Sequence, residues 1–267
     1  MTFNIRYDEP ADGPHAWRHR RDLAIEAIRA PDPDLVALQE STMTQWDEIA
    51  AALPEYSAFG IWQDEWGGAE PHGGFFRTDR FEARDSGIFW LSDTPEVAQS
   101  ISWPNDWGPR ACAWVRVVDR RGDRALIFAS THVDTNAGSW LRSARVLHRE
   151  LERVARGSAI VLAGDFNCAA GSPAHHYLLN DAGFHDAWYD AGRADAGVVT
   201  YHGFTGATRL SEENLPVNAP ANERIDWILL RRPLVARDVE IDCRRAGDRL
   251  PSDHYPIVAR IKWADAT

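Results

Sequence analysis

Glu40, Asp165, Asn167 and Asp253 are hard oxygen donors, and Asn4 adds a neutral amide oxygen. Such a set suits Mg2+ or Mn2+, which favour carboxylates, amides and retained water, whereas the histidines are too scattered for a helical zinc motif. A cation held there would act as a Lewis acid on a phosphate oxygen and stabilise the charge that builds up as a P–O bond breaks. Moving protons needs other groups. His254 with Asp226 to orient it, and His132 with Glu70 as its partner, supply imidazoles that can cycle near neutral pH. Arg110, and Arg142 or Arg145, offer planar forks for phosphate oxygens.

Most of these residues stand where an apolar run ends. Leu35–Gln39 runs into Glu40, Ala125–Thr131 into His132, and Ile160–Gly164 into Asp165; Ser252-Asp253-His254 precedes a final run. Buried strands whose polar ends converge make a site on a rigid scaffold. The patterning predicts strands at Thr2–Tyr7, Leu35–Gln39, Tyr56–Ile61, Gly74–Phe76, Phe81–Phe89, Ala113–Val118, Arg124–Thr131, Ala159–Ala163, Arg224–Leu230, Val235–Ile241 and Pro256–Trp263. Helices are expected at Trp17–Arg29, Thr44–Leu53, Trp140–Arg156 and, briefly, after Pro173. Many strands and few helices imply an α/β fold with two β-sheets packed face to face and helices outside. No repeat or linker interrupts the 267 residues, so one domain is expected over 1–267.

Composition excludes several chemistries. Of 29 basic residues only Lys262 is a lysine, so no GxxxxGK phosphate loop can be written, and Schiff-base chemistry would rest on that residue alone. The net charge of −11 argues against counterion-driven binding to duplex nucleic acid. Cys112, Cys168 and Cys243 form no CxxC pattern or disulfide framework. With no apolar run long enough to span a membrane and no signal-peptide pattern, a cytoplasmic monomer is expected. The strand-like Thr2–Tyr7 has no lead-in, which leaves room for an upstream leader.

In order along the chain, Thr2-Phe3-Asn4-Ile5, Leu38-Gln39-Glu40, Thr131-His132, Gly164-Asp165-Phe166-Asn167, Arg224-Ile225-Asp226-Trp227 and Ser252-Asp253-His254-Tyr255-Pro256 resemble the endonuclease/exonuclease/phosphatase superfamily. The likeness is greatest to small bacterial members near the deadenylase branch. It implies a DNase I-like four-layer sandwich of two mixed sheets, dependence on a divalent metal, and hydrolysis of a phosphoester. By position, Glu40 would be the principal Mg2+ ligand with Asn4 and Asp253 near it. Asp165 and Asn167 would orient the attacking water and bind the phosphate or a second metal. His254 and Asp226 would form an acid/base pair, His132 would contact the phosphate with Glu70 beside it, and Arg110 would match the family's phosphate-contacting arginine. Either His254 or Asp165 would take the water's proton, and metal or His132 would assist the leaving oxygen.

The substrate is narrowed, not named. Cys168-Ala169-Ala170 stands where inositol-phosphatase members carry an aromatic and an arginine, and Ser41-Thr42 where abasic-site endonucleases carry Thr-Lys. A phosphodiesterase or nuclease, acting on single-stranded nucleic acid or a small phosphodiester, is the first expectation. A hydrolase of a small or lipid-like phosphoester is the alternative, and a non-catalytic binding protein the third. Cys168 reads as a small buried side chain, and His15, His19, His72, His148, His175, His176, His185 and His202 as surface residues. Trp62, Trp66, Trp103 and Trp107, in Gly/Pro-rich loops, are candidates for lining a substrate groove.

Overall fold

The computed structural model describes residues 1–61, 72–195, 197–207 and 223–264. Among the described residues, twelve strands form two six-stranded sheets. The first has the order β11-β12-β1-β2-β4-β3, from β1 (Thr2–Asn4), β2 (Leu35–Gln39), β3 (Tyr56–Ile61), β4 (His72–Arg77), β11 (Leu234–Ile241) and β12 (Ile257–Trp263). The second runs β5-β6-β7-β8-β10-β9, from β5 (Phe81–Trp90), β6 (Ala111–Asp119), β7 (Arg124–His132), β8 (Ala159–Asp165), β9 (Phe184–Asp186) and β10 (Asp226–Arg231). Each sheet is mixed: β1 pairs parallel with β2, and β7 with β8, while their other neighbours are antiparallel.

The two-residue period of a strand sorts the apolar side chains into layers. On β7, Leu126 and Phe128 face the opposite sheet, while Ile127 and Ala129 face away; on β8, Val161 and Ala163 point inward, Ile160 and Leu162 outward. The outer face of the first sheet is covered by α1 (Trp17–Arg29) and α2 (Met43–Ala52), through Trp17, Ala24, Ile28, Trp46 and Ile49. That of the second is covered by α3 (Ala137–Ala155) and α4 (Pro173–Asn180), through Leu147, Leu151, Val154 and Leu178. The result is the expected α/β four-layer sandwich.

Local chemistry sets the boundaries. Thr42 caps α2 in a reciprocal capping box with Gln45. Asn136 caps α3, which begins three residues ahead of the expected start. The expected strand Thr2–Tyr7 stops at Asn4, because Arg6 turns into the left-handed region (φ 55°) and its carbonyl is taken by the side chains of Arg20 and Gln45. β9, three residues long, and the short α5 (Ala187–Asp190) had no sequence signal.

Candidate active site

Register alone aligns three of the functional side chains. His132 at the end of β7 lies opposite Asp165 on β8, and Asp165 lies opposite Asp226 on β10. In the facing sheet, Asn4 is opposite Gln39, with Glu40 next in chain. Polar bonds cross between the sheets, from Gln39 Nε2 to Ser130 Oγ (3.2 Å) and from Asn4 Nδ2 to Asp165 Oδ2 (3.0 Å), and within the first sheet Asn4 Nδ2 also donates to Glu40 Oε1 (2.9 Å). Glu40 and Asn167 both sit at positive φ (57° and 50°), so each strand end is turned sharply to present its side chain.

Asp165 is central. Its Oδ2 lies 3.6 Å from His132 Nε2 and 3.7 Å from His254 Nε2. His254 Nδ1–H donates to Asp226 Oδ2 (3.0 Å), which fixes the ring and turns Nε2 towards Asp165. Arg110 Nη1 donates to His132 Nδ1 (2.9 Å), and the Asn167 amide nitrogen lies 3.1 Å from His132 Nε2. Asn167 is pinned by its Nδ2–H to the Val133 carbonyl (2.7 Å) and by its backbone N–H to Asp165 Oδ1 (2.8 Å). Ser252 Oγ donates to the Asn4 carbonyl (2.7 Å), which ties the Asp253-His254 turn to β1.

These contacts polarise the site. Burial alone would lower the His254 imidazole, but Asp226 and Asp165 override it and hold it at about 10. Burial, with the positive charge of Arg110, pushes His132 down to about 3. Burial and the charge of Asp226 raise the Asp165 carboxyl, and burial likewise raises Asp253 against the pull of His254. One imidazole is thus held charged and the other neutral, on either side of one carboxylate.

Among the described residues, two groups could hold a cation: Glu40, His132 and Asp165, and Asp165, Asp226 and His254. A specific observation supports a fit at Glu40: its Oε2 is buried with no hydrogen-bond partner among the described residues, only Arg6 Nη1 at 3.8 Å. A buried carboxylate oxygen left unmatched is costly, and a divalent ion would satisfy it. Asp253 lies on the other side of Arg6, whose Nε is 3.9 Å from Asp253 Oδ2.

The sequence-predicted residues Asn4, Glu40, Arg110, His132, Asp165, Asn167, Asp226, Asp253 and His254 all meet at this end of the sandwich. Glu70 lies outside the described residues, as do Trp62 and Trp66. Arg142 and Arg145 are exposed on α3, with Arg145 over the Tyr177 ring. Cys168 is buried, its thiol pushed by burial to about 12, as befits a packing residue. Three histidines expected at the surface are buried: His72, His202 and His175. His175 Nε2–H donates to Asp186 Oδ2 (3.0 Å), inside a cluster that includes Arg224.

Sequence reasoning missed Arg6, Arg20 and Asp134. Arg6 stands between Glu40, Asp253 and Asp12, and its signal was only its place two residues after Asn4. Arg20, 1% exposed on α1, bonds the carbonyls of Ile5, Arg6, His15 and Pro251 and so fixes the loops carrying Arg6 and Asp253. Asp134 accepts the backbone N–H groups of Asp106, Trp107 and Asn136 beside Arg110. A separate cavity of about 1020 Å³, lined by Met1, Phe128, Val161, Ile261 and Trp263 among others, opens at the far ends of the sheets and includes none of the site residues.

A sequence profile of the Endonuclease/Exonuclease/phosphatase family matches residues 1–254. The chain belongs to this family. The family is one of metal-dependent phosphoester hydrolases. An uncharacterised protein of Acanthamoeba polyphaga mimivirus, L388, is 26% identical over 166 residues, and the match spans 57% of this chain and 60% of that protein. Among solved structures, the endonuclease/exonuclease/phosphatase from Bacteroides vulgatus superposes with a TM-score of 0.85 at 28% identity, covering 98% of this chain and 97% of that one. The mannosyl-6-phosphatase Bt3783 of Bacteroides thetaiotaomicron shares the fold, with a TM-score of 0.84 at 22% identity and 98% of each chain covered. No described helix is long and apolar enough to cross a membrane.

Proposed function

We propose that this family member hydrolyses a small phosphoester with the aid of Mg2+ or Mn2+, using Asp165 as the base. The observation that carries the reading is the placement of Asp165 Oδ2 between two imidazoles of opposite character, beside the unmatched Glu40 oxygen. Glu40 would hold the cation, oriented by the Asn4 amide, and Asp253, beyond Arg6, would add negative charge nearby. When bound, the cation neutralises phosphoryl oxygens and supports the charge that develops in the transition state.

Asp165, raised by burial and steadied by Asn4 and the Asn167 backbone, accepts a proton from the attacking water at Oδ2. His254, held as an imidazolium by Asp226, sets a fixed positive charge beside that oxygen, where negative charge accumulates on the phosphoryl group. His132 is kept neutral by burial and Arg110, so it lines the phosphoryl group without supplying a proton, and the departing oxygen takes its proton from solvent water. Arg110 and the Asn167 amide complete the polar wall.

A compact ester is favoured over a nucleic-acid strand by charge. The two arginines at the centre are already committed to acids, Arg6 to Asp12 (3.1 Å) and Arg110 beside Asp134 (3.7 Å). Asp8, Glu9 and Asp106 add negative charge to the neighbouring loops of a chain of net charge −11. A strand of phosphates needs a track of free cations instead. The sugar-phosphate activity in the name of the Bacteroides thetaiotaomicron relative fits the same direction.

The test is a panel of mannose 6-phosphate, inositol phosphates, sphingomyelin, nucleotides, RNA and single-stranded DNA with Mg2+ or Mn2+, against a His254→Ala control. The expected result is turnover of small esters that is lost in the variant and little changed by added salt. Turnover confined to nucleic acid and suppressed by salt would replace this reading with the nuclease one. No metal-dependent turnover of any substrate would point to a binding protein.

A further inference from the structure

Among the described residues, three of the four exposed large hydrophobic side chains, Val97, Ile101 and Trp107, belong to one loop, residues 91–110 between β5 and β6. That loop ends at Arg110, at the same end of the second sheet as His132. Apolar side chains gathered on one loop beside a polar reaction centre call for an explanation that scattered surface residues do not.

Trp107 is the sharpest case. It is 67% exposed, yet it is held firmly: its backbone N–H donates to Asp134 Oδ2 (3.0 Å) and its indole Nε1–H to Thr135 Oγ1 (3.0 Å). Thr135 in turn donates to Asp106 Oδ2 (3.0 Å), and Asn136 Nδ2 donates to Asp106 Oδ1 (3.1 Å). One edge of the indole is therefore fixed by a polar frame while most of its surface stays open to solvent. The loop does not need this side chain as an anchor, because Trp103, 8% exposed, already packs it into the core with Phe89, Leu91 and Val133.

Only Gly108 and Pro109 separate Trp107 from Arg110, so at most about 11 Å of chain lies between their Cα atoms. A group esterified to a phosphate at Arg110 and His132 would come within reach of the indole. Resting on the phosphoester reading above, we propose that Trp107 recognises the leaving group of the substrate as a stacking platform for a neutral sugar ring. An indole offers a broad, rigid face to the C–H surface of such a ring. The Asp106 carboxylate, held by Thr135 and Asn136 beside the indole, disfavours an anionic ring substituent.

The experiment separates ring recognition from hydrolysis. Binding of mannose 6-phosphate, glycerol 3-phosphate and a thymidine dinucleotide is measured by calorimetry on metal-free wild type, Trp107→Ala and Trp107→Phe, and turnover of the same compounds is measured with Mg2+. The expected result is that Trp107→Ala weakens mannose 6-phosphate about tenfold, as loss of one stacked face implies, weakens the acyclic ester less than twofold, and is largely rescued by phenylalanine. Equal weakening of both esters, or no weakening, overturns the proposal, and a loss confined to the dinucleotide replaces the sugar with a base. Selective weakening in calorimetry without turnover by wild type would leave ring recognition standing and overturn the hydrolase reading instead.

Discussion

Replacing Arg20 with methionine keeps an unbranched stem of similar length and removes every donor from a guanidinium that burial already pulls down to about 10. The carbonyls of Ile5, His15 and Pro251 lose this partner, while that of Arg6 keeps Gln45 Nε2. At about 1 kcal/mol for each of the three acceptors, the fold loses about 3 kcal/mol. For a chain of this size that lowers the midpoint of thermal unfolding by about 8 °C. Turnover falls as well, by about tenfold, because Arg6 and the Pro251-Ser252-Asp253 turn lose their common brace beside Glu40. Circular dichroism on heating and steady-state kinetics under saturating Mg2+ read the two effects. The opposing physics is real: a buried cation is costly to desolvate, and a well-packed apolar replacement can stabilise. A variant that unfolds within about 2 °C of wild type and keeps its kcat would show that desolvation outweighs the bonds and that Arg20 braces nothing.

Two further outcomes follow from buried pairs. Asp226→Asn removes the anion that orients and charges His254, so kcat falls by about 10²–10⁴ with KM little changed, and a proportional loss of kcat and binding would contradict the assigned role. Asp186 concerns stability: burial would raise its carboxyl, but His175 and Arg224 hold it below the ordinary range. A carboxyl depressed in the folded state contributes stability that is complete above its unfolded value of about 3.9 and is lost as pH falls through the folded value. Urea unfolding should therefore show a stability gap between wild type and Asp186→Asn that is constant at neutral pH and shrinks in acid; a gap that does not vary with pH would remove the charge from the explanation.

Much of this architecture could be read from apolar runs of one period. Leu35–Gln39, Tyr56–Ile61 and Trp17–Arg29 have the observed bounds, because each has an uninterrupted pattern and a clear stop. Asp165 and Asn167 stood out because polar groups at the end of a buried strand have no core role. What stayed hidden depends on partners remote in sequence. Arg20 sits in a run of exposed basic residues and is distinguished only by carbonyls brought to it from residue 5 and from residue 251. His175 resembles its exposed neighbour until Asp186 is folded beneath it. Arg6 continues an apparent strand, and only the capture of its carbonyl shows why the strand must end. The period of a pattern reports burial, whereas a buried charge is explained by geometry that no period carries.

The central claim, a cation held at Glu40 beside the Asp165 base, is tested most directly by the initial rate of mannose 6-phosphate hydrolysis as Mg2+ is returned to chelator-stripped wild type and Glu40→Gln. The account requires no turnover without the cation, saturable recovery in wild type, and a half-saturating Mg2+ concentration at least about tenfold higher in the variant. Full turnover after chelation, or a variant that follows the wild-type curve, would contradict it.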